Sequence, residues 1–316
     1  MNGIREIMRS RAVPVILFTV LALVPVYAAV FDDRFLMLFA TRILILAIAA
    51  LSLDFILGLG AMVSFGHAAF IGLGAYAVGI LAYHDIWAAW ISFPAAILVC
   101  ALFAAITGAI SLKTRGVYFI MITLAFGQMA YYTATSLSAY GGDDGLTMWG
   151  RSEFLGTGLF ENDTAFYCLV LAILLAAYVF LKVLAASRFG RVLKGAKQSE
   201  ARLQAIGIDP FGYRLAAYVI AGSIAGIAGA LLANQAEFVS PAYMSWHRSG
   251  ELIVMVVLGG LGYLHGAILG AIAYLVFEEV LSHYTQHWRL IFGPLLILVV
   301  LYARGGILGA IKGKSS

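Results

Sequence analysis

Along this chain, apolar residues run for about twenty positions at a time before a polar cluster interrupts them. That is the length a helix needs to cross the hydrocarbon of a bilayer. Such runs predict membrane helices over 13–30, 36–57, 87–111, 116–137, 165–185, 214–234 and 289–304. Two further stretches, 58–83 and 249–283, are apolar but broken by glycine. The second is too long for a single crossing and carries LGGLGYLHGAILGA in its middle. It is either one long tilted helix or two segments divided near 259–266.

Composition sharpens the pattern. Of 316 residues, 63% are hydrophobic and only 11% charged, whereas a soluble domain carries about 25% charged residues. Most of the outer surface must therefore meet membrane lipid, and a soluble globular, disordered or disulfide-stapled chain is excluded. Cys100 and Cys168 both sit in apolar runs and read as small hydrophobes, not as a redox pair.

Charge placement sets the expected topology, because Lys and Arg concentrate in cytoplasmic loops. Arg5, Arg9 and Arg11 precede the first span and place the N-terminus inside. Ala28-Ala29 after that span imitates a secretory signal, but the run is longer than a signal core and is taken as a retained helix. Lys113 and Arg115 then fall inside. The 139–164 loop, with five acids and the single base Arg151, falls outside. The 187–213 loop returns inside with Arg188, Arg191, Lys194, Lys197 and Arg202. Dividing 249–283 puts Glu278 and Glu279 outside and Lys312 and Lys314 in the cytoplasm. The expectation is a single all-α polytopic membrane domain over 1–316, with about ten membrane segments, some short or re-entrant, and both ends inside.

Irregular backbone survives at membrane depth only when buried in protein or lining a wet cavity. The stretches 57–77 and 256–273 each combine glycines with a histidine, His67 or His265. Each precedes a further span ending in a basic glycine turn, Lys113-Thr114-Arg115-Gly116 or Arg304-Gly305-Gly306. This similarity suggests a parallel internal repeat, and interrupted segments in matching positions point to a transport pathway. The plainer reading is helix packing: Gly222 and Gly226, and Gly262, Gly266 and Gly270, are spaced as small-residue ladders. Arg42 and Asp54 lie near opposite ends of the second span, within snorkelling reach of headgroups. Since no span carries a central carboxylate or a train of basic residues, an ion relay or voltage sensor is not expected.

No chemistry emerges elsewhere. Gly309–Ser315 imitates a P-loop but its spacing is one residue short, with no room for the helix that must follow. His283 and His287, with Glu278 and Glu279 upstream, have a spacing compatible with zinc, yet their interfacial position favours solvated side chains. No catalytic nucleophile, metal site, cofactor or nucleic-acid stripe is expected.

The 187–213 loop is the most informative segment. Val192, Leu193, Ala196, Leu203 and Ile206 fall on one side at helical spacing, with the bases largely opposite. Gly207 suits a helix end, and Asp209-Pro210 prevents continuation. Such a helix either anchors on the membrane surface or docks into a partner's groove.

Here FGRVLKGAKQSEARLQAIGID (189–209) resembles the coupling-helix region of ABC-importer permeases, specifically the LivM-type permeases of branched-chain amino acid uptake systems. Further similar segments follow the family's order: GLGAMVSFGHAAFIGLGAYA at 58–77, TRGVYFIMITLAFGQ at 114–128, GGDDGL at 141–146, AGSIAGIAGAL at 221–231, SPAYMSW at 240–246 and VLGGLGYLHGAILGA at 257–271. The family's EAA-like element maps to Glu200, Ala201 and Gly207, with Arg202 standing where a second alanine is expected.

The resemblance implies a multi-pass permease of the bacterial inner membrane with no ATPase site of its own. It pairs with a LivH-like second permease, is powered by two ATPases of LivG and LivF type, and receives solute from a periplasmic binding protein. The solute is a branched-chain amino acid or a related amide, urea or aromatic acid. Residues expected at the ATPase contact are Lys197, Glu200, Ala201, Arg202, Gly207 and Asp209. Expected pathway residues are Ser64, His67, Thr123, Gln128 and Asn234. The competing expectation is an ion-coupled secondary transporter or channel.

Overall fold

The computed structural model describes residues 2–31, 33–153, 158, 160–284, 287, 290, 292–294 and 305–312. It is an all-helical bundle, and its helices follow the apolar runs. They are α1 (Asn2–Phe31), α2 (Arg34–Gly60), α3 (His67–Tyr83), α4 (Ala89–Ser111), α5 (Val117–Ser136) and α6 (Asp163–Ala186), then α7 (Arg188–Gln198), α8 (Glu200–Ala205), α9 (Phe211–Ala236), α10 (Trp246–Gly259), α11 (Leu264–Tyr284) and α12 (Gly306–Lys312). Among the described residues, six helices are long and apolar enough to cross a membrane: α2, α4, α5, α6, α9 and α11. With these spans the chain is a multi-pass membrane protein. Helix α3 has 17 residues and α10 has 14, about 25 and 21 Å at 1.5 Å per residue. Both fall short of a hydrocarbon core of about 30 Å. The expected span at 289–304 lies largely outside the described residues.

Helix α2 is the axis of the bundle. Every residue from Ile43 to Gly60 is buried, against α9 and α11 and also α1, α6, α7 and α10. Lipid tails are as apolar as its own side chains, so what holds α2 in place is close packing. By contrast α4, α5 and α6 bury less than a third of their most apolar windows, leaving broad apolar flanks such as Leu98, Leu102 and Ile106 exposed. The small-residue ladder in α9 packs as expected: Gly222 meets Ala104 and Phe70, Gly226 meets Cys100, and Gly229 meets the Ile71 carbonyl. In the other proposed ladder only two rungs behave so. Gly266 and Gly270 press on the α10 backbone, whereas Gly262 is non-helical at φ +80 and has a separate role.

At one end of the bundle the 139–164 loop is fastened down. A two-residue strand, β1 (Leu146–Thr147), pairs antiparallel with β2 (Phe238–Val239). Arg151, its side chain only 7% exposed, pairs with Asp163 at 2.8 Å and Glu237 at 3.4 Å. It also donates to the Phe160 carbonyl and lies over the Phe166 ring. Burying an arginine in this way requires such a full set of partners.

At the opposite end, 187–213 forms two short helices and not one. Ser199 stops α7 and caps α8, its Oγ accepting from the Arg202 N–H. The single amphipathic face expected from the sequence is therefore only half realised. Leu193 and Ala196 are buried and Val192 partly so, but Ile206 is 70% exposed.

Candidate coupling and translocation site

Both glycine-broken stretches are irregular, as their composition predicts: residues 61–66 separate α2 from α3, and 260–263 separate α10 from α11. The second lies against the end of α2, just before the first begins. A methyl group on Gly58, in the last turn of α2, would fall 2.5 Å from Gly262 Cα. The Gly262 N–H donates to Asp54 Oδ1 at 2.8 Å. Asp54 is wholly buried, which overturns the expectation that it snorkels to headgroups. It instead accepts an otherwise orphaned backbone donor from the second break, at a depth where an unpaired N–H costs several kcal/mol.

The 187–213 loop reaches the same spot. Lys197, projecting from α7, donates its Nζ proton to the Gly58 carbonyl at 2.9 Å, and its charge acts on Asp54 one helical turn back. Two segments distant in sequence, carrying Lys197 and Gly262, thus converge on the final turn of α2. Gly305 and Gly306 complete the packing, pressed against Gly259 and Gly260.

Around the first break lies a buried polar cluster. His67 Nε2 and Ser52 Oγ share a 2.9 Å hydrogen bond, and the His67 ring meets Phe70 edge-on. The Phe65 N–H donates to Thr123 Oγ1 and the Ala68 N–H to Ser249 Oγ. Ser64 is buried beside the Tyr218 hydroxyl. The open first turn of α3 is therefore capped by hydroxyls borrowed from α5 and α10, the intramembrane equivalent of an N-cap.

The expected pathway residues divide accordingly. Ser64, His67 and Thr123 come together here. Gln128 does not: it lies in a shallow groove along α5 with Met129 and Tyr132. Nor does Asn234, which is buried far off, accepting from the Ser152 N–H at 2.6 Å and donating to the Ala230 carbonyl. Asn234 ties the 139–164 loop to α9. Ser52, Ser249 and Tyr218 were missed by the sequence reading, although Ser52 as a hydroxyl deep inside an apolar span carried a signal.

The expected coupling residues divide too. Glu200 turns inward, pairing with Arg115 at 2.8 Å and Arg214 at 2.9 Å, so its carboxylate fastens α8 to the bundle. Ala201, Arg202 and Gly207 are exposed, with Gly207 at φ +79 closing α8. Asp209 accepts from the Phe211 N–H at the start of α9. Among the described residues, no three His, Cys, Asp or Glu side chains gather as a metal site. His265 faces Tyr263 edge-on.

Comparison with known proteins places this arrangement. Residues 35–301 match the family described as the branched-chain amino acid transport system permease component. The chain is 27% identical to the high-affinity branched-chain amino acid transport system permease protein LivM of Salmonella typhimurium, over 85% of this chain and 69% of that one. It is also 27% identical to LivM of Escherichia coli, over 88% and 73%. LivH of Salmonella typhimurium is 27% identical over 51% of each chain. No solved structure matches. With the family's pattern running through nearly all of α2 to α11, the chain belongs to the branched-chain amino acid transport permease family.

Proposed function

We propose that this chain is one permease subunit of a binding-protein-dependent ABC importer in the bacterial inner membrane. It forms half of the pathway for a branched-chain amino acid or a related amide, urea or aromatic acid. Its partner is a LivH-like permease, its power comes from two separate ATPases of LivG and LivF type, and a periplasmic protein delivers the solute. In this reading ten membrane segments leave both termini in the cytoplasm. The 139–164 loop is periplasmic, the 187–213 loop is the coupling element, and the two broken stretches are matching parts of an internal repeat.

The observation that carries this reading is the convergence on Gly58. An ATPase gripping the exposed residues of α8 would move α7 with it, since Arg214 holds both, pairing with Glu200 of α8 and donating to the Ala196 carbonyl of α7. Lys197 then delivers that displacement to the last turn of α2, which leads into the first irregular segment and packs against the second. Rocking α2 moves both at once, which is what alternating access requires.

Reconstitution tests it. Proteoliposomes holding both permeases, both ATPases and the binding protein should accumulate leucine only with ATP, and this chain alone should be inert under a sodium or proton gradient. Accumulation by the chain alone would instead make it an ion-coupled carrier. Arg202→Glu, on the exposed face of α8, should cut ATPase co-purification at least tenfold; unaltered co-purification would overturn the coupling assignment.

A further inference from the structure

The cavity that the pathway residues do not use lies at the other end of α2. It has a volume of about 470 Å³ and sits between α2, α3, α9, α10 and α11, within the range of pockets that enclose small molecules. Four charged side chains line it: Arg42, Arg248, Glu251 and Glu279. All lie within about two turns of a helix end at the rim shared with the 139–164 loop. One turn deeper the lining becomes aliphatic, with Leu46 beyond Arg42 and Met255 beyond Glu251, joined by Ile71 and Leu252.

Two of these charges are already matched, Arg248 pairing with Glu251 at 2.9 Å. Arg42 and the Glu279 carboxylate make no ion pair among the described residues, and both are half-buried. Tyr243, on the 3-10 turn Pro241–Met244, lies within electrostatic reach of both Arg42 and Arg248, so positive charge gathers on one side. Among the described residues the lining carries two charges of each sign, and one cation and one anion make no ion pair.

We propose that this cavity binds a small zwitterion with an aliphatic side chain, entered side chain first. Arg42 takes the carboxylate and Glu279 the ammonium, while Leu46, Leu252 and Met255 enclose the hydrocarbon. The ligand class rests on the importer reading above, and the site is the first stop for solute arriving at that rim. A phospholipid suits it less, because the volume is too small for two acyl chains and the two glutamates repel a phosphate.

The test is displacement of radiolabelled leucine from the complete complex in nanodiscs without ATP, using leucine, 3-methylbutylamine, which lacks the carboxylate, and 4-methylpentanoate, which lacks the ammonium. Arg42→Gln should weaken leucine about 10- to 100-fold, the loss expected of a charge-assisted hydrogen bond, and leave 3-methylbutylamine unchanged. Glu279→Gln should do the converse, sparing 4-methylpentanoate. A purely structural role would weaken all three ligands together, and that result overturns the proposal. So does wild-type leucine affinity in both variants, with or without loss of co-purified phospholipid. ATP dependence of uptake, measured on the same preparation, fails separately: its absence removes the importer reading and leaves the ligand discrimination standing.

Discussion

The two irregular segments solve one problem by different means. Both must satisfy backbone donors away from water, and they lie against the same turn of α2. The 61–66 segment holds one glycine, Gly66, and borrows neutral hydroxyls from Thr123 and Ser249. The 260–263 segment holds two glycines, both at positive φ, and takes a carboxylate oxygen from Asp54. Only the second uses an ionisable acceptor, and only there does a charged side chain, Lys197, arrive from the 187–213 loop. The lesson is that the similarity of the two stretches in sequence conceals a division of labour. One is a neutral, capped helix start, and the other is an electrostatic joint within reach of the 187–213 loop.

The largest effect should come from separating the second segment from the turn of α2 that leads into the first. Gly58→Ala places a methyl against the Gly262 backbone and Asp54 Oδ1, all within 2.8 Å, and backbone cannot yield cheaply. We expect a cost of about 3 kcal/mol in a denaturant titration of the detergent-solubilised chain, with uptake lost. Gly60→Ala, two residues on, meets only the flexible tip of Met62 and should cost under about 1 kcal/mol. Equal costs would mean that the contact of Gly58 with Gly262 is not what constrains this turn.

Next come the borrowed acceptors. Asp54→Ala strips a carboxyl acceptor from Gly262 and leaves a buried N–H unpaired, which costs about 2–3 kcal/mol; Ser249→Ala removes a hydroxyl acceptor and should cost about half as much. Asp54→Asn keeps an acceptor and should recover much of the loss. If Ser249→Ala proved the more damaging, the second segment would not be the electrostatic joint described here.

A smaller effect on stability, with a larger one on transport, is expected at the link itself. Lys197→Met removes one hydrogen bond at a partly exposed position, about 0.5–1.5 kcal/mol. Uptake should nevertheless fall at least tenfold while ATPase co-purification persists, because the push no longer reaches Gly58. Normal uptake would show that motion reaches α2 by another route.

How much of this could be read from the chain follows from where the information lies. The helices were legible because apolar runs report burial in lipid or protein alike, and the division of 249–283 was legible because glycine there interrupts a pattern too long for one crossing. Partners across the bundle were not legible. Asp54, with 208 positions between it and Gly262, looks in the sequence like an interfacial charge near a helix end. Asn234 looks like a pathway amide until Ser152 is seen to claim it. Glu200 looks like a contact for a partner protein, although Arg115 and Arg214 have already taken its carboxylate. In each case the residue type signalled a polar role, and only tertiary packing settled with whom.

The smallest predicted effect has opposite signs in the two segments. Ala61 closes α2 in the left-handed region at φ 53, where a Cβ costs about 1–2 kcal/mol and where glycine would sit without that penalty. Glycine's greater freedom in the unfolded chain offsets about 0.5–1 kcal/mol of the relief. Ala61→Gly should therefore stabilise by a few tenths to about 1 kcal/mol. Gly262→Ala reverses the exchange at φ +80 and should destabilise by a similar amount, since its Cβ would find only ordinary contacts near Gly58. Parallel unfolding titrations of the two variants measure both signs. If Ala61→Gly were also destabilising, the alanine would be held there by packing, and the first segment would be the more constrained of the two.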